Sequence, residues 1–181
     1  MPEPALAALF RAERVLVIGC GGSGKSTFAR QLAPRLGLPI THLDALFWHP
    51  GWVPTADRDW DVIIEALVAE PRWLIDGNYS RTLPLRLSRA DVVIWLDLPA
   101  ATCLWRALRR GLRGHKEVRP DMAPDCPEHV NLDFLRWIAG FRRRTRPRLL
   151  KMRSRAPATQ TWITLSSSAA ASRLAAALRT P

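Results

Sequence analysis

The chain has few cysteines, and none of them are spaced like metal ligands. Its 181 residues contain three, Cys20, Cys103 and Cys126, without a C-x-x-C pair. Secreted domains held by disulfides and structural zinc sites both need more thiols at closer spacing. We therefore expect reduced thiols in a cytoplasmic protein.

The sequence also lacks long hydrophobic runs. No apolar stretch approaches the roughly 20 residues of a membrane-spanning helix, so we expect no membrane association. The stretch before Arg11 has neither a basic start nor a long apolar segment, and no signal peptide is predicted. Hydrophobic residues make up 48% and charged residues 24% of the chain, as in globular proteins, and the length favours one domain over residues 1–181.

Lysine is scarce, and the positive charge is concentrated in one segment. Only three of the 27 basic residues are lysine, and the net charge is +11. Residues 104–155 carry 15 basic and five acidic side chains, whereas residues 1–103 carry ten and eleven. A compositional bias toward arginine would explain the residue type but not this clustering. The segment therefore indicates an anionic partner, either phosphate groups or a nucleic acid.

Five short apolar runs alternate with helical patterns along the chain. They predict buried strands at 14–19, 38–44, 73–76, 91–97 and 161–165. Helices are predicted at 25–33, 57–70, 99–113 and 169–179, and one or two helices at 131–153. The first of them either ends at Pro34 or continues with a kink before Gly37. This alternation predicts an α/β fold with a parallel sheet covered by helices on both faces. The stretch 114–130, rich in glycine, proline and charge, is expected to be a mobile loop inserted in that domain.

The strongest motif lies between the first strand and the first predicted helix. Residues 19–26 read GCGGSGKS and match G-x-x-x-x-G-K-[ST] at every fixed position. Glycines let successive backbone N–H groups face an anion, and the helix N-terminus adds further donors. Lys25 is expected to reach the β- and γ-phosphates, and the Ser26 hydroxyl to bind Mg²⁺. The motif predicts a nucleoside triphosphate site formed by Gly19, Gly21, Gly22, Ser23, Gly24, Lys25, Ser26 and Thr27.

Two further strands end in aspartate at the same predicted edge of the sheet. Because ligands collect beyond the carboxyl ends of parallel strands, Asp76 and Asp97 are both candidates for the Mg²⁺ shell. An aspartate at a strand end can instead cap the next turn. Asp76 is favoured because Gly77 allows a sharp turn beneath a ligand, whereas Pro99 after Asp97 indicates the start of a helix.

Asp44 closes the predicted second strand, across the crevice from the phosphate loop. A carboxylate there can orient a substrate hydroxyl or accept its proton, as phosphoryl transfer requires. A loop cap is the alternative. No arginine lies between Arg35 and Arg58, which favours a hydroxyl-bearing or cationic acceptor over a phosphate group. Other arginines follow strand ends or lie in the basic segment and are candidates for a phosphate clamp: Arg81, Arg106, Arg109, Arg110, Arg113 and Arg119.

Five sequence blocks together resemble one group of kinases. They are GCGGSGKST (19–27), HLDALFWHPGW (42–52), DGNYSRTLPLRL (76–87), RPDM (119–122) and FLRWIAGFRRRTRPR (134–148). The match is near full length. It is to the adenylate-kinase-like P-loop kinases and, within them, to the DNA topology modulation (FlaR-like) proteins. The phosphate loop is shared by a whole superfamily, whereas the other blocks together are specific to this group.

The resemblance implies a three-layer α/β/α P-loop NTPase fold with five parallel strands in the order 2-3-1-4-5. It also implies an acceptor segment after the second strand and a short lid inserted at about 112–130. By alignment with nucleoside monophosphate kinases, Asp76 is expected to hold a Mg²⁺-bound water and Arg81 to contact the acceptor. Arg106 and Arg110 fall where adenylate kinases have a base-stacking and a phosphate-binding arginine. The block HLDALFWHPGW, however, is unlike an AMP site.

These features predict an ATP-binding, Mg²⁺-dependent phosphotransferase that acts on a small, unidentified acceptor. Lys25, Asp44 and Arg110 are the expected catalytic residues. The alternative, favoured by the basic segment, is a nucleic-acid-binding regulator of DNA topology that uses nucleotide binding as a switch. It ranks second because no helix-turn-helix, zinc-finger or RNA-binding signature is present. A monomer or a homodimer is expected.

Overall fold

The computed structural model describes residues 3–113 and 118–178, and it consists of a central sheet with flanking helices. The strands are β1 (Arg14–Gly19), β2 (Ile40–His42), β3 (Trp48–His49), β4 (Val53–Pro54), β5 (Trp73–Asp76), β6 (Val92–Leu96) and β7 (Thr161–Leu165). The helices are α1 (Glu3–Arg11), α2 (Lys25–Leu36), α3 (Leu43–Phe47), α4 (Asp57–Ala69), α5 (Leu83–Arg89), α6 (Ala100–Arg113), α7 (Leu132–Arg144), α8 (Arg146–Ser154) and α9 (Ser168–Ala177). Over these ranges, none of the helices has both the length and the apolar character needed to cross a bilayer.

The main sheet has five parallel strands in the order β2-β5-β1-β6-β7. Numbered among themselves, these strands follow the predicted order 2-3-1-4-5. At the centre, Val17 of β1 pairs with Asp76 of β5 on one side and with Ile94 of β6 on the other. Both neighbours and β1 itself are almost fully buried, as expected for strands covered on both faces. The predicted fold class is confirmed.

The second strand is shorter than predicted. β2 contains only Ile40–His42, and the chain turns directly into the short helix α3. Asp44 therefore lies in the first turn of a helix and not at the end of a strand, which corrects the expectation of a strand over 38–44. A carboxylate in a first turn is favourable because it faces the positive end of the helix dipole.

Proline positions shape two of the helices. α2 continues through Pro34 and ends at Leu36, and the left-handed backbone of Gly37 (φ 60°) caps it. The predicted helical stretch 131–153 forms two helices separated at Thr145, and Pro147 lies in the first turn of α8, where a missing N–H is tolerated. Helices α4, α6 and α9 agree with the predicted ranges to within two residues, whereas α1 and α5 were not predicted.

The expected lid segment is attached to the β3–β4 hairpin. The N–H of Gly51 donates to the carbonyl of Asp125 at 3.0 Å, and Trp52 Nε1 donates to the carbonyl of Pro127 at 3.2 Å. A small apolar cluster joins the two segments and consists of Met122, Ala123 and Cys126 with Trp48 and Trp52. Residues 114–117 lie outside the described residues. The mobility of the loop 114–130 stays a prediction, but residues 118–130 have their own packing partner.

Candidate active site

The phosphate loop joins the carboxyl end of β1 to the amino end of α2. Gly24 precedes the helix in the left-handed conformation (φ 89°), which is costly for a residue with a Cβ. Gly22 is also left-handed (φ 78°), and a Cβ there would collide with the backbone carbonyl of Cys103 on α6. These two glycines let the loop turn tightly against α6 and deliver Lys25 to the helix N-terminus, where unsatisfied N–H groups bind anions.

A cavity of about 840 Å³ lies beside this loop. Lys25, Asp44 and Arg110 all line it, so the structure brings the three predicted catalytic side chains to one site. A cavity of this size accommodates small-molecule ligands. Much of the remaining wall is aromatic and is formed by Trp48, Trp52, Tyr79, His129, Phe134 and Trp137.

The two predicted metal-site residues, Ser26 and Asp76, are both buried. Asp76 ends β5, and its Oδ2 lies 2.9 Å from Nδ1 of His42 on the neighbouring strand β2. The other oxygen, Oδ1, is buried and has no hydrogen-bond partner among the described residues. Neither side chain lines the cavity described above. Because a buried carboxylate oxygen without a partner is costly, the free oxygen of Asp76 suits a Mg²⁺-bound water.

Asp44 is held by the loop that follows β5. The Tyr79 hydroxyl donates a hydrogen bond of 2.8 Å to Asp44 Oδ1, and Arg119 Nη2 lies 4.0 Å from Oδ2. Burial and then the charge of Asp44 raise the pKa of Tyr79 well above its usual value. The phenol therefore stays a neutral donor at physiological pH, and its hydrogen bond holds the Asp44 side chain in one orientation.

One carboxylate joins two arginines at the cavity. Glu128 is buried, and it pairs with Arg110 Nε at 3.0 Å and with Arg119. Arg119 also pairs with Asp121 at 2.8 Å, and Asp121 pairs with Arg30 at 3.1 Å. The network holds the guanidinium groups of Arg110 and Arg119 at the cavity wall, where their planar N–H donors suit phosphate oxygens.

Asp121 lies next to the hydroxyl expected to bind Mg²⁺. Its buried carboxylate interacts with the Ser26 hydroxyl as well as with Arg119 and Arg30. Burial raises the pKa of this carboxyl, but the charges of the two arginines and the nearby Ser26 hydroxyl outweigh burial, so the net pKa lies below its usual value. Asp121 is therefore an anion close to the phosphate loop.

Arg106 connects the phosphate loop to the carboxyl-terminal helix. Its Nη1 lies 3.5 Å from the carbonyl oxygen of Ser23, and its Nη2 donates to Ser168 Oγ at 2.8 Å. The side chain therefore lies beside the phosphate loop and the start of α9. This is compatible with the contact to a nucleotide base that the resemblance implies.

Two predicted candidates lie elsewhere. Arg81 is exposed and pairs with Asp61 at 2.7 Å and with Asp57 at 3.3 Å, both on α4. It does not line the cavity, so the expected contact with the acceptor is not supported by its position. Asp97 accepts a hydrogen bond of 2.8 Å from Arg146 Nε, so its carboxylate already forms an ion pair with that arginine.

Four residues at this site are not among the predicted ones: Asn78, Tyr79, Asp121 and Glu128. Asn78 accepts a hydrogen bond of 3.1 Å from the N–H of Gly19 and donates to the carbonyl of the same residue at 2.5 Å. Tyr79 orients Asp44, and Asp121 and Glu128 hold the arginines. The blocks DGNYSRTLPLRL and RPDM contain the first three, whereas no local pattern marks Glu128.

The chain is similar in sequence to two curated shikimate kinases. No known family model matches the chain. A shikimate kinase from Nitrobacter winogradskyi is 31% identical over 127 residues, which are 62% of this chain and 59% of that protein. A shikimate kinase from Ruegeria pomeroyi is 30% identical over 121 residues, which are 59% of each. The chain thus spans about 59% of the length of the curated relatives it matches.

Solved structures match over nearly the whole chain. Shikimate kinase from Acinetobacter baumannii in complex with shikimate has a TM-score of 0.55 at 17% identity and covers 96% of this chain and 94% of that one. Shikimate kinase from Bacteroides thetaiotaomicron has a TM-score of 0.51 at 15% identity and covers 93% and 96%. With the strand order and the phosphate loop described above, these matches show that the chain has the adenylate-kinase-like P-loop kinase fold.

Proposed function

We propose that this protein is an ATP- and Mg²⁺-dependent kinase that transfers the γ-phosphoryl group to a hydroxyl of a small acceptor. The observation that carries the proposal is the shared cavity: Lys25 of the phosphate loop and Asp44 of α3 line the same space of about 840 Å³. Phosphoryl transfer to a hydroxyl needs a cationic phosphate site and a nearby group that orients the nucleophile. The matching shikimate kinases support the same reaction class.

In the proposed reaction the acceptor oxygen attacks the γ-phosphorus while the bond from that phosphorus to the β–γ bridging oxygen breaks, and ADP leaves. The hydroxyl proton goes to Asp44 Oδ2, since Oδ1 already accepts the hydrogen bond of Tyr79. When bound, Mg²⁺ neutralises phosphate charge, and in this chain the Ser26 hydroxyl and a water on Asp76 would hold it.

The cavity arginines stabilise the charge that develops on the transferred group. Arg110 uses Nε for its bond to Glu128, so both of its Nη groups stay free of that ion pair. A guanidinium has five N–H donors, and it can therefore keep one carboxylate partner and still bind phosphate oxygens. We propose that Glu128 holds Arg110 and Arg119 in place when nucleotide is absent.

The acceptor is proposed to bear a hydroxyl and to be neutral or cationic. The acceptor end of the cavity contains the carboxylate of Asp44 and aromatic walls from Trp48 and Trp52. Arg81, the arginine predicted to contact the acceptor, is engaged on α4. An anionic acceptor would face repulsion from Asp44, whereas a hydroxyl gains a proton acceptor.

A transfer assay tests the proposal. ATP with a labelled γ-phosphate is incubated with Mg²⁺ and a panel of neutral sugars and cyclitols, amino alcohols, shikimate and nucleoside monophosphates. We expect labelled product from a hydroxyl acceptor with the wild type, none with Lys25→Ala, and wild-type yield with Lys151→Ala, an exposed lysine on α8. Label transferred only to shikimate or only to nucleoside monophosphates, all of them anions, would contradict the proposed acceptor class, and no transfer to any compound would contradict the kinase.

The FlaR-like resemblance supports a second candidate, a nucleic-acid-binding regulator. The observation in its favour is three exposed arginines on α7 and α8, Arg142, Arg143 and Arg148, none of which forms an ion pair within residues 3–113 and 118–178. Charge alone gives DNA affinity that falls steeply with salt. Binding to a duplex at moderate salt that changes with ATP and is lost in Arg142→Ala/Arg143→Ala would favour this function. Binding confined to low salt would contradict it.

The compartment is part of the proposal. All three cysteines are free and buried. Free thiols are common where glutathione and thioredoxin keep them reduced. This supports a cytoplasmic kinase.

A further inference from the structure

A buried arginine has no carboxylate partner in the described part of the chain. The side chain of Arg86 on α5 is 0% exposed. Its Nη1 donates to the carbonyl of Gly77 at 2.9 Å, and its Nη2 donates to the carbonyl of Tyr79 at 2.9 Å and to that of Asn78. Burial lowers the pKa of Arg86 to about 9. A fully buried cation is costly, so its carbonyl partners must be held close for it to remain charged.

The three carbonyl acceptors belong to consecutive residues of the loop between β5 and α5. Three successive carbonyls point to one place only when the backbone turns sharply. Gly77 has φ 145°, and Tyr79, which has a side chain, is left-handed with φ 38°. Such a backbone conformation persists only where surrounding contacts hold it. Arg86 supplies those contacts from inside the protein.

The side chains of the same loop reach both halves of the candidate active site. Asn78 bonds to the N–H and to the carbonyl of Gly19, the first residue of the phosphate loop. Tyr79 bonds to Asp44 at 2.8 Å. The two neighbouring residues thus link the nucleotide side and the acceptor side, and both have their carbonyl groups on the guanidinium of Arg86.

We infer that Arg86 is a positioning residue that fixes Asn78 against the phosphate loop and Tyr79 against Asp44. Its planar guanidinium suits the task because two Nη groups can serve three acceptors in one plane, which an ammonium group does less well. The role rests on the proposed function only in so far as Asp44 reacts with the acceptor. The geometry itself requires no acceptor and no phosphoryl transfer.

A purely structural role is the competing explanation. Leu83 of the same helix is buried, so α5 also contributes to the core, and loss of Arg86 would lower stability in either case. A test therefore needs a signal that loss of stability alone does not move. The chain offers one, because Tyr79 is its only tyrosine.

The full chain is labelled with ¹³Cζ-tyrosine, and the single resonance is recorded by NMR. Asp44→Asn defines the shift caused by loss of the charged acceptor of the phenol. The test variants are Arg86→Met, which keeps an unbranched apolar side chain and removes the donors, and Arg86→Lys, which keeps a cation without the planar fork. Arg89→Met, an exposed arginine of the same helix, is the matched control. Leu174→Ala, buried on α9, controls for lost stability alone.

We expect Arg86→Met to move the tyrosine resonance toward its position in Asp44→Asn, and Arg86→Lys to move it part of the way. The affinity for a fluorescent ATP analogue should fall on the order of tenfold in Arg86→Met, since Asn78 no longer holds Gly19. Arg89→Met and Leu174→Ala should leave the resonance and the affinity as in the wild type. If Arg86→Met does not fold, the tyrosine resonance of Arg86→Lys alone tests the inference.

A tyrosine resonance in the folded Arg86 variants that stays at the wild-type position would overturn the inference, as would an equal shift in Leu174→Ala. The proposed kinase can fail independently of this result, because neither readout uses an acceptor. Conversely, the wild type could transfer phosphoryl groups while the tyrosine resonance of the Arg86 variants does not move. In that case the kinase proposal stands and the positioning role of Arg86 is refuted.

Discussion

The hydroxyl of Tyr79 donates a hydrogen bond of 2.8 Å to Oδ1 of Asp44. The bond joins the loop after β5 to the first turn of α3 and leaves Oδ2 of the carboxylate for another partner. Because the pKa of Tyr79 is raised by burial and by the charge of Asp44, the donor does not ionise at physiological pH. The reactive carboxylate of the proposed kinase is thus oriented before the acceptor binds.

Loss of the Asp44 charge should abolish most turnover while leaving nucleotide binding intact. We expect kcat of Asp44→Asn to fall on the order of 10²-fold or more, because the amide cannot accept the acceptor proton. ATP affinity should stay within about twofold. Steady-state kinetics with the acceptor found in the transfer assay provide the measurement. Near-wild-type turnover would reduce Asp44 to a loop cap, and Asp59→Asn, an exposed aspartate of α4, serves as the control.

Removal of the Lys25 charge should impair the use of ATP. In Lys25→Ala the phosphates lose their point charge beside the α2 N-terminus, and we expect ATP turnover to become undetectable in a folded protein. Circular dichroism verifies the fold, and a coupled ADP assay gives the rate. A folded variant with unchanged ATP affinity and turnover would contradict the nucleotide site itself.

The amide-exchange protection of the lid segment should depend on its packing against the β3–β4 hairpin. Trp52 donates to the carbonyl of Pro127 and packs in the cluster with Met122. We expect Trp52→Ala to lower amide-exchange protection over residues 118–130, since the segment loses its packing partner. A bisubstrate-like ligand should raise protection over 114–130 in the wild type. Trp105→Ala, an exposed tryptophan, is the control; equal protection with and without ligand would argue against a lid.

Lowering the pH should reduce the free energy of unfolding because it protonates Asp121. The pKa of this carboxyl is lower in the folded protein than its usual value because the charges of Arg119 and Arg30 outweigh burial. The unfolded chain therefore binds more protons as the pH falls. The stabilisation is present above the unfolded-state pKa, near 4, and is lost as the pH falls through the lower folded-state value.

Urea unfolding between about pH 6 and about pH 3 measures this effect. Asp121→Asn should lose less unfolding free energy over that range than the wild type does. Asp125→Asn, an exposed position of the same segment, should follow the wild type. Parallel curves for the wild type and Asp121→Asn would show that the ion pairs of Asp121 carry no net stabilisation.

Local sequence patterns determined the parts of the fold that depend on neighbouring residues. The apolar runs located the five main strands, most clearly β1, β5 and β6, which are buried on both faces. The spacing of glycines before Lys25 located the phosphate loop because a tight strand-to-helix turn needs them. The end of β2 could not be located in this way. Whether the chain continues as a strand past His42 or turns into a helix depends on what it packs against, and that choice put Asp44 on α3.

Only the tertiary structure decided which charged side chains belong to the site. Arg81 and Arg110 look alike in sequence, yet Arg81 lies against Asp61 on α4 while Arg110 lies at the cavity beside Glu128. Likewise, Arg86 on α5 is buried where three carbonyls of the loop after β5 converge on it. A sequence sets which residues can pair, but pairs separated by many positions form only when the packed sheet and helices bring them within hydrogen-bonding distance.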